Sequence, residues 1–185
     1  MRNLTDQQLR DQLANPQTRR SAFEETVRRY SRPLYMHIRR IVLTHADTDD
    51  ILQNTFLSAW RNLETFRGDS KLSTWLYRIA HNHSIDHLRR RRAQYHLPID
   101  DPAQHTLQTL ESDPWFDGDE TQKLLLSAIA TLPDRQKEVF QLKYFDELKY
   151  SEIAEILQTT EGSLKASYHH AVKKITEYIK EHTTH

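Results

Sequence analysis

Apolar residues recur at intervals of three and four along most of the chain, which is the spacing that places them on one face of an α-helix. The first such segment, with leucines between residues 4 and 13, ends at Asn15-Pro16, a pair typical of a helix stop. A second helix is predicted over residues 18–30, and Pro33 fits the start of a third. The pattern therefore predicts helices from the beginning of the chain onward.

The next predicted helix opens at residues 47–49 and carries two stripes. Its core stripe, at steps of three and four, comprises Leu52, Phe56, Ala59 and Leu63. Roughly a quarter turn away lies a mixed stripe that comprises Asp50, Gln53, Leu57, Trp60 and Glu64. A leucine and a tryptophan between acidic residues on an outer face indicate a protein–protein contact. The alternative is that Trp60 packs into the same core as Phe56.

Residues 66–92 combine a polar loop with a strongly basic helix. The loop contains the turn formers Gly68, Asp69 and Ser70, and either of the last two can cap the helix. The apolar stripe of the helix comprises Leu72, Leu76, Ile79 and Ala80, and its other faces carry Tyr77, Arg78, His81, Asn82, Asp86 and Arg89. The helix ends in the arginine run Arg89–Arg92, whose charges repel one another unless an anion lies between them. A nucleic-acid backbone is the simplest such anion, and a solvated helix end is the alternative.

Periodicity is lost from residue 93 to 118, where prolines and acidic residues predict a linker. Residues 98–120 contain seven acidic residues and no lysine or arginine, so the formal net charge of zero is a sum of segments of opposite sign. We therefore expect two small helical domains, residues 1–93 and 120–185, joined by a flexible acidic linker over residues 94–119.

The second domain ends in two predicted helices that a tight break separates. The segment YSEIAEIL is followed by the turn Gln158-Thr159-Thr160 and then by EGSLKASYHHAVKKITEYIK. Thr160 can cap the second of these two helices. Ala154 is small where the helices would cross, and the second helix is basic. This arrangement is typical of a DNA-binding helix-turn-helix, and a plain helical hairpin is the alternative.

Composition excludes several other classes of function. The chain has no cysteine, and three glycines in 185 residues favour helices with short turns. The N-terminus lacks the apolar run of a secretory signal, and no segment approaches the ~20 apolar residues of a membrane span, so we expect a cytoplasmic protein with no membrane insertion.

His83 and His87 lie four residues apart, but without a glutamate between them in the zincin position they predict no metal site. The absence of a phosphate loop or a nucleophile motif predicts that the chain is not an enzyme and needs no cofactor.

Three segments, in this order, resemble the extracytoplasmic-function (ECF) sigma factors of bacterial RNA polymerase. They are DDILQNTFLSAWRNLETFRG, STWLYRIAHNHSIDHLRRRR and LPDRQKEVFQLKYFDELKYSEIAEILQTTEGSLKASYHHAVKKI. The resemblance covers nearly the whole chain. It implies an all-α, two-domain initiation factor that binds core RNA polymerase and promoter DNA, with an anti-sigma factor as a further partner.

The resemblance also implies roles for individual residues. Polymerase binding falls on Asp49, Asp50, Gln53, Leu57, Trp60 and Glu64. Capture of the melted minus-ten strand falls on Asp69, Ser70, Lys71, Asn82, Asp86, Arg89 and Arg90. Recognition of the minus-thirty-five duplex falls on Thr160, Ser163, Lys165, Ser167, Tyr168, His169 and Lys173. This chain departs from the family at Ser167 and His170, where arginines that grip guanine are frequent.

Two other functions are also compatible with a helix-turn-helix. A stand-alone regulator would bind duplex DNA without polymerase, and would need neither an unpaired-base pocket nor an acidic and aromatic outer face. A pure interaction protein with a degenerate DNA face would show no salt-sensitive DNA binding, even with core polymerase present.

Overall fold

The computed structural model describes residues 4–66, 68–95, 101–114 and 118–183. Within these ranges the chain forms α-helices and no strand, which confirms the prediction of an all-α protein. The helices are α1 (Asp6–Ala14), α2 (Arg19–Val42), α3 (His45–Arg61), α4 (Leu72–Tyr95), α5 (Pro102–Ser112), α6 (Glu120–Ala130), α7 (Asp134–Phe140), α8 (Tyr150–Leu157) and α9 (Glu161–Thr183). A 3₁₀ turn, Leu63–Thr65, follows α3, and a π-helical turn, Gln141–Phe145, follows α7.

Helix α2 is continuous through Pro33, so the prediction that this proline starts a new helix is wrong. A proline inside a helix removes one backbone hydrogen bond and crowds the preceding turn. Here the helix continues because the apolar positions on both sides of the proline share one buried face, with Ala22 before it and Leu34 and Ile38 after it. That face packs along α3 and α4, and tertiary packing of an apolar face contributes most of a helix's stability.

The predicted linker contains a helix, α5, where the loss of periodicity indicated irregular chain. Asp101 caps it by accepting from the backbone N–H groups of Ala103 and Gln104, and Pro102 occupies its first turn. Its buried face comprises Ala103, Thr106 and Leu110, and α5 packs against α6. Three of the residues on which the linker prediction rests, Pro98, Asp100 and Asp117, lie outside the described residues.

The predicted helix-turn-helix is confirmed as α8 and α9. Gln158 adopts a left-handed conformation that ends α8, and the Thr159 N–H donates to the Ala154 carbonyl over 3.2 Å. The Thr160 hydroxyl then caps α9 by accepting from the Ser163 N–H at 3.3 Å. The break between the two helices therefore lies at residues 158–160, as predicted.

Helices α1–α4 form an N-terminal bundle and α6–α9 form a C-terminal bundle, and the two pack against each other. One apolar cluster joins Leu34, Ile38 and Leu76 of the first bundle to Leu142 and Ile153 of the second. A smaller cluster lies within the C-terminal bundle and contains Ile129, Phe140 and Ile175. This contact between the bundles determines which faces of α4 remain open to solvent.

None of the helices within the described residues combines the length and the apolar character that crossing a membrane requires.

Candidate nucleic-acid and protein-binding surfaces

Helix α3 presents a mixed apolar and acidic stripe to solvent. All six residues predicted to bind a protein partner are exposed: Asp49, Asp50, Gln53, Leu57, Trp60 and Glu64. Leu57 is 46% exposed and Trp60 is 43% exposed, because Ile51, Phe56 and Ala59 take the buried positions of the helix. Trp60 also packs edge-on against Phe23, with ring centroids 4.9 Å apart. One side of the indole is thus supported by α2 while the other side is open.

Carboxylates border this apolar pair at both ends of the stripe. Asp49 Oδ2 lies 3.2 Å from His45 Nε2, and Glu64 Oε1 lies 3.2 Å from an Arg19 nitrogen. Exposed ion pairs of this kind contribute little to stability, so both carboxylates remain open to a partner. The stripe therefore fits a surface that offers an apolar groove with a basic rim.

The loop at residues 68–71 is held from two directions. Gly68 has φ +78°, a left-handed conformation that favours glycine. The Arg10 guanidinium donates to the carbonyls of Gly68 and Ser70 at 3.1 and 3.3 Å. On the other side, Lys71 Nζ lies 2.9 Å from Glu152 Oε1 of α8. Of the predicted loop residues, Asp69 and Lys71 are exposed and Ser70 is half-buried.

A cleft of about 350 Å³ separates α4 from the C-terminal bundle. Asn82, Asp86 and Arg89 line one wall, and the facing wall includes Arg135 and Gln158. All three α4 side chains are exposed, as is the predicted Arg90. The cleft thus brings amide, carboxylate and guanidinium groups together, and the loop at residues 68–71 does not line it.

Acidic residues offset part of the charge of the arginine run. Arg89 pairs with Asp86 at 3.3 Å and Arg91 pairs with Asp47 at 3.0 Å. Arg92 lies 3.9 Å from Asp134 of α7. The run therefore needs no external anion to be tolerated, although its side chains remain available to phosphates.

Tyr77 and His81, which the pattern places on the outer faces of α4, are buried. Tyr77 is 7% exposed and His81 is 2% exposed. The prediction is wrong for these two residues because the C-terminal bundle packs on that side of α4. His81 Nε2 lies 3.6 Å from Glu138 Oε1 of α7. Because both residues lie off the apolar stripe of α4, the sequence pattern did not indicate that they are buried.

A buried polar cluster that sequence reasoning missed lies between the bundles. Asp146 follows the π turn, and its Oδ2 lies 2.6 Å from Nδ1 of the fully buried His37. Its other oxygen pairs with the Arg40 guanidinium, which also lies 4.8 Å from the centre of the Phe145 ring. Gln141 Nε2 donates to the Arg40 carbonyl over 3.2 Å. We call these five residues the Asp146 cluster.

Burial lowers the pKa of His37 below its ordinary value of 6.5, although Asp146 favours the charged ring. His81 and Arg40 act in the same direction as burial. The folded protein thus keeps this imidazole neutral at a pH where the unfolded chain would protonate it. Stability linked to His37 is present above pH 6.5 and is lost as the pH falls below it.

We expect the free energy of unfolding to decrease between about pH 7.5 and about pH 5.5 by a larger amount in the wild type than in His37→Asn. Asparagine keeps a donor near Asp146 but does not titrate. Urea unfolding at the two pH values measures the difference, with the exposed His169→Asn as control. An equal pH dependence in wild type and His37→Asn would contradict the assignment.

Helix α9 exposes a polar and basic surface. Thr160, Ser163, Lys165, His169 and Lys173 are exposed, whereas Ser167 and Tyr168 are half-buried. The Tyr168 ring stacks on Phe140 with centroids 5.9 Å apart, so much of this residue serves the packing of the C-terminal bundle. Lys165 Nζ lies 5.7 Å from the centre of the Tyr150 ring, which holds the ammonium beside α8.

His83 and His87, which were considered above as metal ligands, each contact another side chain of the protein. His83 Nε2 lies 2.9 Å from the Ser58 hydroxyl, and His87 Nε2 lies 3.4 Å from Asp47 Oδ1. Within the part of the chain that the structure describes, no three histidine, aspartate or glutamate side chains form a group suited to a metal ion.

Known proteins resemble both bundles. The family model for Sigma-70 region 2 matches residues 26–94, and that for Sigma-70 region 4 matches residues 122–175. The ECF RNA polymerase sigma factor SigW of Bacillus subtilis is 33% identical over 86% of this chain and 90% of its own length. The RNA polymerase sigma-H factor of Pseudomonas aeruginosa is 30% identical over 95% of this chain and 94% of its own length.

Solved structures share the fold. CnrH, in complex with the cytosolic domain of CnrY, superposes with a TM-score of 0.71 over 95% of this chain and 97% of that chain, at 24% identity. The sigma factor RpoE of Bartonella quintana, in complex with the anti-sigma factor NepR, superposes with a TM-score of 0.67 over 85% of this chain and 96% of that chain, at 20% identity.

Proposed function

The chain belongs to the ECF sigma factors of bacterial RNA polymerase, and we propose that its two bundles divide promoter recognition between them. In this division, residues 1–93 bind core polymerase and hold the melted minus-ten strand. Residues 120–185 read the minus-thirty-five duplex, and residues 94–119 connect the two. Sigma factors are initiation factors without a catalytic step of their own, and we place this one in the cytoplasm with the polymerase.

The observation that carries the polymerase contact is the exposed pair Leu57 and Trp60 on α3. A tryptophan at the centre of a polar rim is typical of residues that contribute most to a protein interface, and Leu57 adds apolar area beside it. The bordering carboxylates of Asp49, Asp50 and Glu64 favour a basic partner surface and speed association.

Strand capture is proposed for the polar loop and the adjoining face of α4. Removing a base from the stack costs a few kcal/mol, which a site offsets by hydrogen bonds to the base edge. The exposed Asn82 amide can both donate and accept, and the Asp86 carboxylate can accept from a base amine. Arg89 and Arg90 supply charge for phosphates, which contributes salt-dependent affinity without sequence choice.

Duplex recognition is proposed for the exposed side of α9. In a helix-turn-helix the second helix enters the major groove with its N-terminal residues against the base edges. Ser163 and Lys165 occupy that end, and His169 and Lys173 follow along the exposed side. Because Tyr168 is half-buried, we assign its ring to packing and leave only its hydroxyl end for DNA.

An anti-sigma factor is proposed as a further partner. CnrH and the Bartonella RpoE were each solved with a bound partner, and in the second case that partner is an anti-sigma factor. A protein of this class would bind both bundles of this chain and hold them away from polymerase and DNA.

Run-off transcription with purified bacterial core polymerase on a library of randomised promoters tests the function. We expect start sites that depend on the added chain, and the enriched sequences give the recognised promoter. Tight duplex binding without core, and no dependent start site, would instead support a stand-alone regulator. Association with core but no start site would also overturn the proposal.

Asn82→Ala is expected to reduce promoter opening by about tenfold while core binding changes by less than about twofold, because one lost base contact is worth about 1–3 kcal/mol. Permanganate reactivity of unpaired thymines measures opening, and fluorescence anisotropy measures core binding. Asn54→Ala, an exposed asparagine on α3 outside the predicted residues, is the control. Equal losses of opening and of core binding would remove Asn82 from the strand-capture site.

A further inference from the structure

The loop at residues 68–71, which we assign to strand capture, is polar throughout and is fixed to the core at its two ends. Phe66, before the loop, stacks on Trp75 of α4 with ring centroids 4.8 Å apart. Leu72, directly after the loop, is fully buried. The four residues between them contribute no apolar side chain to the core. The backbone of such a loop samples many conformations unless hydrogen bonds hold it.

Arg10 of α1 supplies those hydrogen bonds. Its Nη1 donates to the Gly68 carbonyl at 3.1 Å and to the Ser70 carbonyl at 3.3 Å. Among the described residues, no other group hydrogen-bonds to the backbone of residues 68–70. The two carbonyls flank Asp69, so one guanidinium restricts the backbone on both sides of this residue.

Helix α1 gives Arg10 a fixed position. Leu9 and Leu13 of this helix are buried in the apolar core. Asp6, in its first turn, accepts from the Tyr30 hydroxyl of α2 at 2.7 Å. Arg10 Nε is buried and has no hydrogen-bond partner among the described residues, so protein rather than water covers the base of the guanidinium. The donor that holds the loop is therefore itself held by the N-terminal bundle.

A further contact of the loop comes from the C-terminal bundle. Lys71 Nζ pairs with Glu152 Oε1 of α8 at 2.9 Å, and the lysine side chain is 57% exposed. An exposed ion pair contributes little to stability. This pair also depends on how the two bundles pack, whereas the contact with Arg10 lies within the N-terminal bundle and does not.

We propose that Arg10 is a positioning residue for strand capture. It fixes the backbone of residues 68–70 in one conformation, so that the Asp69 and Ser70 side chains meet an unpaired base without further ordering of the loop. A site that is ordered before its ligand arrives binds more tightly, because less conformational entropy is lost on binding. Arg10 contacts the loop and not the DNA. The inference rests on the proposed function.

Arg10→Met is the variant that tests the contact, because methionine is an unbranched apolar residue that packs against α1 but has no donor. On the promoter selected by run-off transcription, we expect opening to fall about tenfold, the effect of leaving about one loop residue to be ordered on binding, while core binding changes by less than about twofold. Discrimination against promoters with a substituted minus-ten base should fall as well. Arg20→Met is the control, since the Arg20 side chain is 90% exposed at the start of α2.

Two further readouts separate positioning from a direct contact with DNA. The slope of binding affinity against salt concentration should be the same in Arg10→Met and the wild type, because a lost phosphate contact would reduce the slope by about 1. Arg10→Lys should recover part of the opening, since an ammonium donates hydrogen bonds but lacks the planar fork of a guanidinium.

The order of the loop can be measured in the free chain, without polymerase or DNA. The chain has three glycines, so labelling with ¹⁵N-glycine gives three backbone amide signals, one of which belongs to Gly68. The order parameter of the Gly68 amide should fall from about 0.85 in the wild type to below about 0.6 in Arg10→Met. The Gly162 amide, in the first turn of α9, is the internal control and should not change.

Gly68→Ala disturbs the same contact from the side of the loop, and replaces Arg10→Met if that variant loses helix content. Gly68 has φ +78°, which is strained for alanine, although the added Cβ would meet only Arg10 Nη1, at 3.9 Å. We expect opening to fall as in Arg10→Met. Gly162→Ala is the matched control, because a Cβ at Gly162 meets no atom within 4 Å.

The role of Arg10 is overturned if the Gly68 amide is equally ordered in Arg10→Met and the wild type, or if opening and base discrimination are unchanged. A reduced salt slope would instead make Arg10 a phosphate contact, and equal losses of opening and of core binding would make its role merely structural. Each of these outcomes is read against an active wild type. A wild type that directs no start site would overturn the proposed function itself, which the Gly68 measurement does not address.

Discussion

Trp60→Ala is expected to weaken binding to core RNA polymerase by about 30-fold or more, the effect of losing an interface contact of about 2 kcal/mol. The indole is 43% exposed, and a partner groove would cover the open side. The rest of the stripe should keep its position when the ring is removed, because the buried Ile51, Phe56 and Ala59 anchor α3 in the core. The dissociation constant, measured by fluorescence anisotropy of labelled chain with purified core, checks the prediction.

Stability separates this effect from a loss of folding. The edge contact with Phe23 is worth about 0.5–1.5 kcal/mol beyond the area that it buries, and the half-exposed ring should cost less than the ~3–5 kcal/mol of a fully buried tryptophan, so the melting temperature should fall only modestly. Met36→Ala is the control, because Met36 is 45% exposed on α2 and lies outside the proposed stripe. A collapse of thermal stability in Trp60→Ala, with core binding lost in proportion, would place the indole in the core.

Leu142→Ala is expected to lower the free energy of unfolding by about 2–5 kcal/mol, the range for a fully buried leucine that leaves a cavity. Leu142 belongs to the C-terminal bundle but lies in the apolar cluster that also contains Leu34 and Leu76 of the N-terminal bundle. We therefore expect both bundles to unfold in one transition that moves to lower urea concentration. Circular dichroism reports all helices. In a Trp115→Phe background, fluorescence reports the two remaining tryptophans, Trp60 and Trp75 of the N-terminal bundle.

Val172→Ala provides the matched control, since Val172 is an exposed aliphatic residue of the same bundle. Its replacement should leave the urea midpoint almost unchanged. If Leu142→Ala shifts the circular dichroism transition but leaves the fluorescence transition in place, the bundles unfold independently. The shared cluster would then contribute little to the stability of the N-terminal bundle.

Local signals predicted several features well. The mixed stripe of α3 is exposed as its spacing indicates, because a period of three and four assigns residues to faces whatever the rest of the fold is. The helix-turn-helix could be predicted equally well from the sequence. Its turn, its small Ala154 and its Thr160 cap all depend on residues that are close together in the chain. The binding roles of these residues stay predictions until they are measured.

In two places the packing of distant helices overrides the local sequence signal. Pro33 is a helix breaker by itself, yet α2 continues through it because its buried face packs on α3 and α4. Helix α5 has a local cap in Asp101, but its apolar face is narrow and its position against α6 is what buries it. Loss of periodicity in a short window is therefore weak evidence against a helix.

Apart from α5 and the continuity of α2 through Pro33, the sequence by itself determined which segments are helical, and it determined the exposed stripe of α3 and the break of the helix-turn-helix, because these depend on neighbours a few residues apart. Only the tertiary structure decided that Tyr77 and His81 are buried and that Asp146 lies against His37 and Arg40. His37 and Asp146 are 109 positions apart. No periodicity reports such a pairing, since it depends on how one bundle packs against the other and on polar groups that are stable in the interior only when both partners are present.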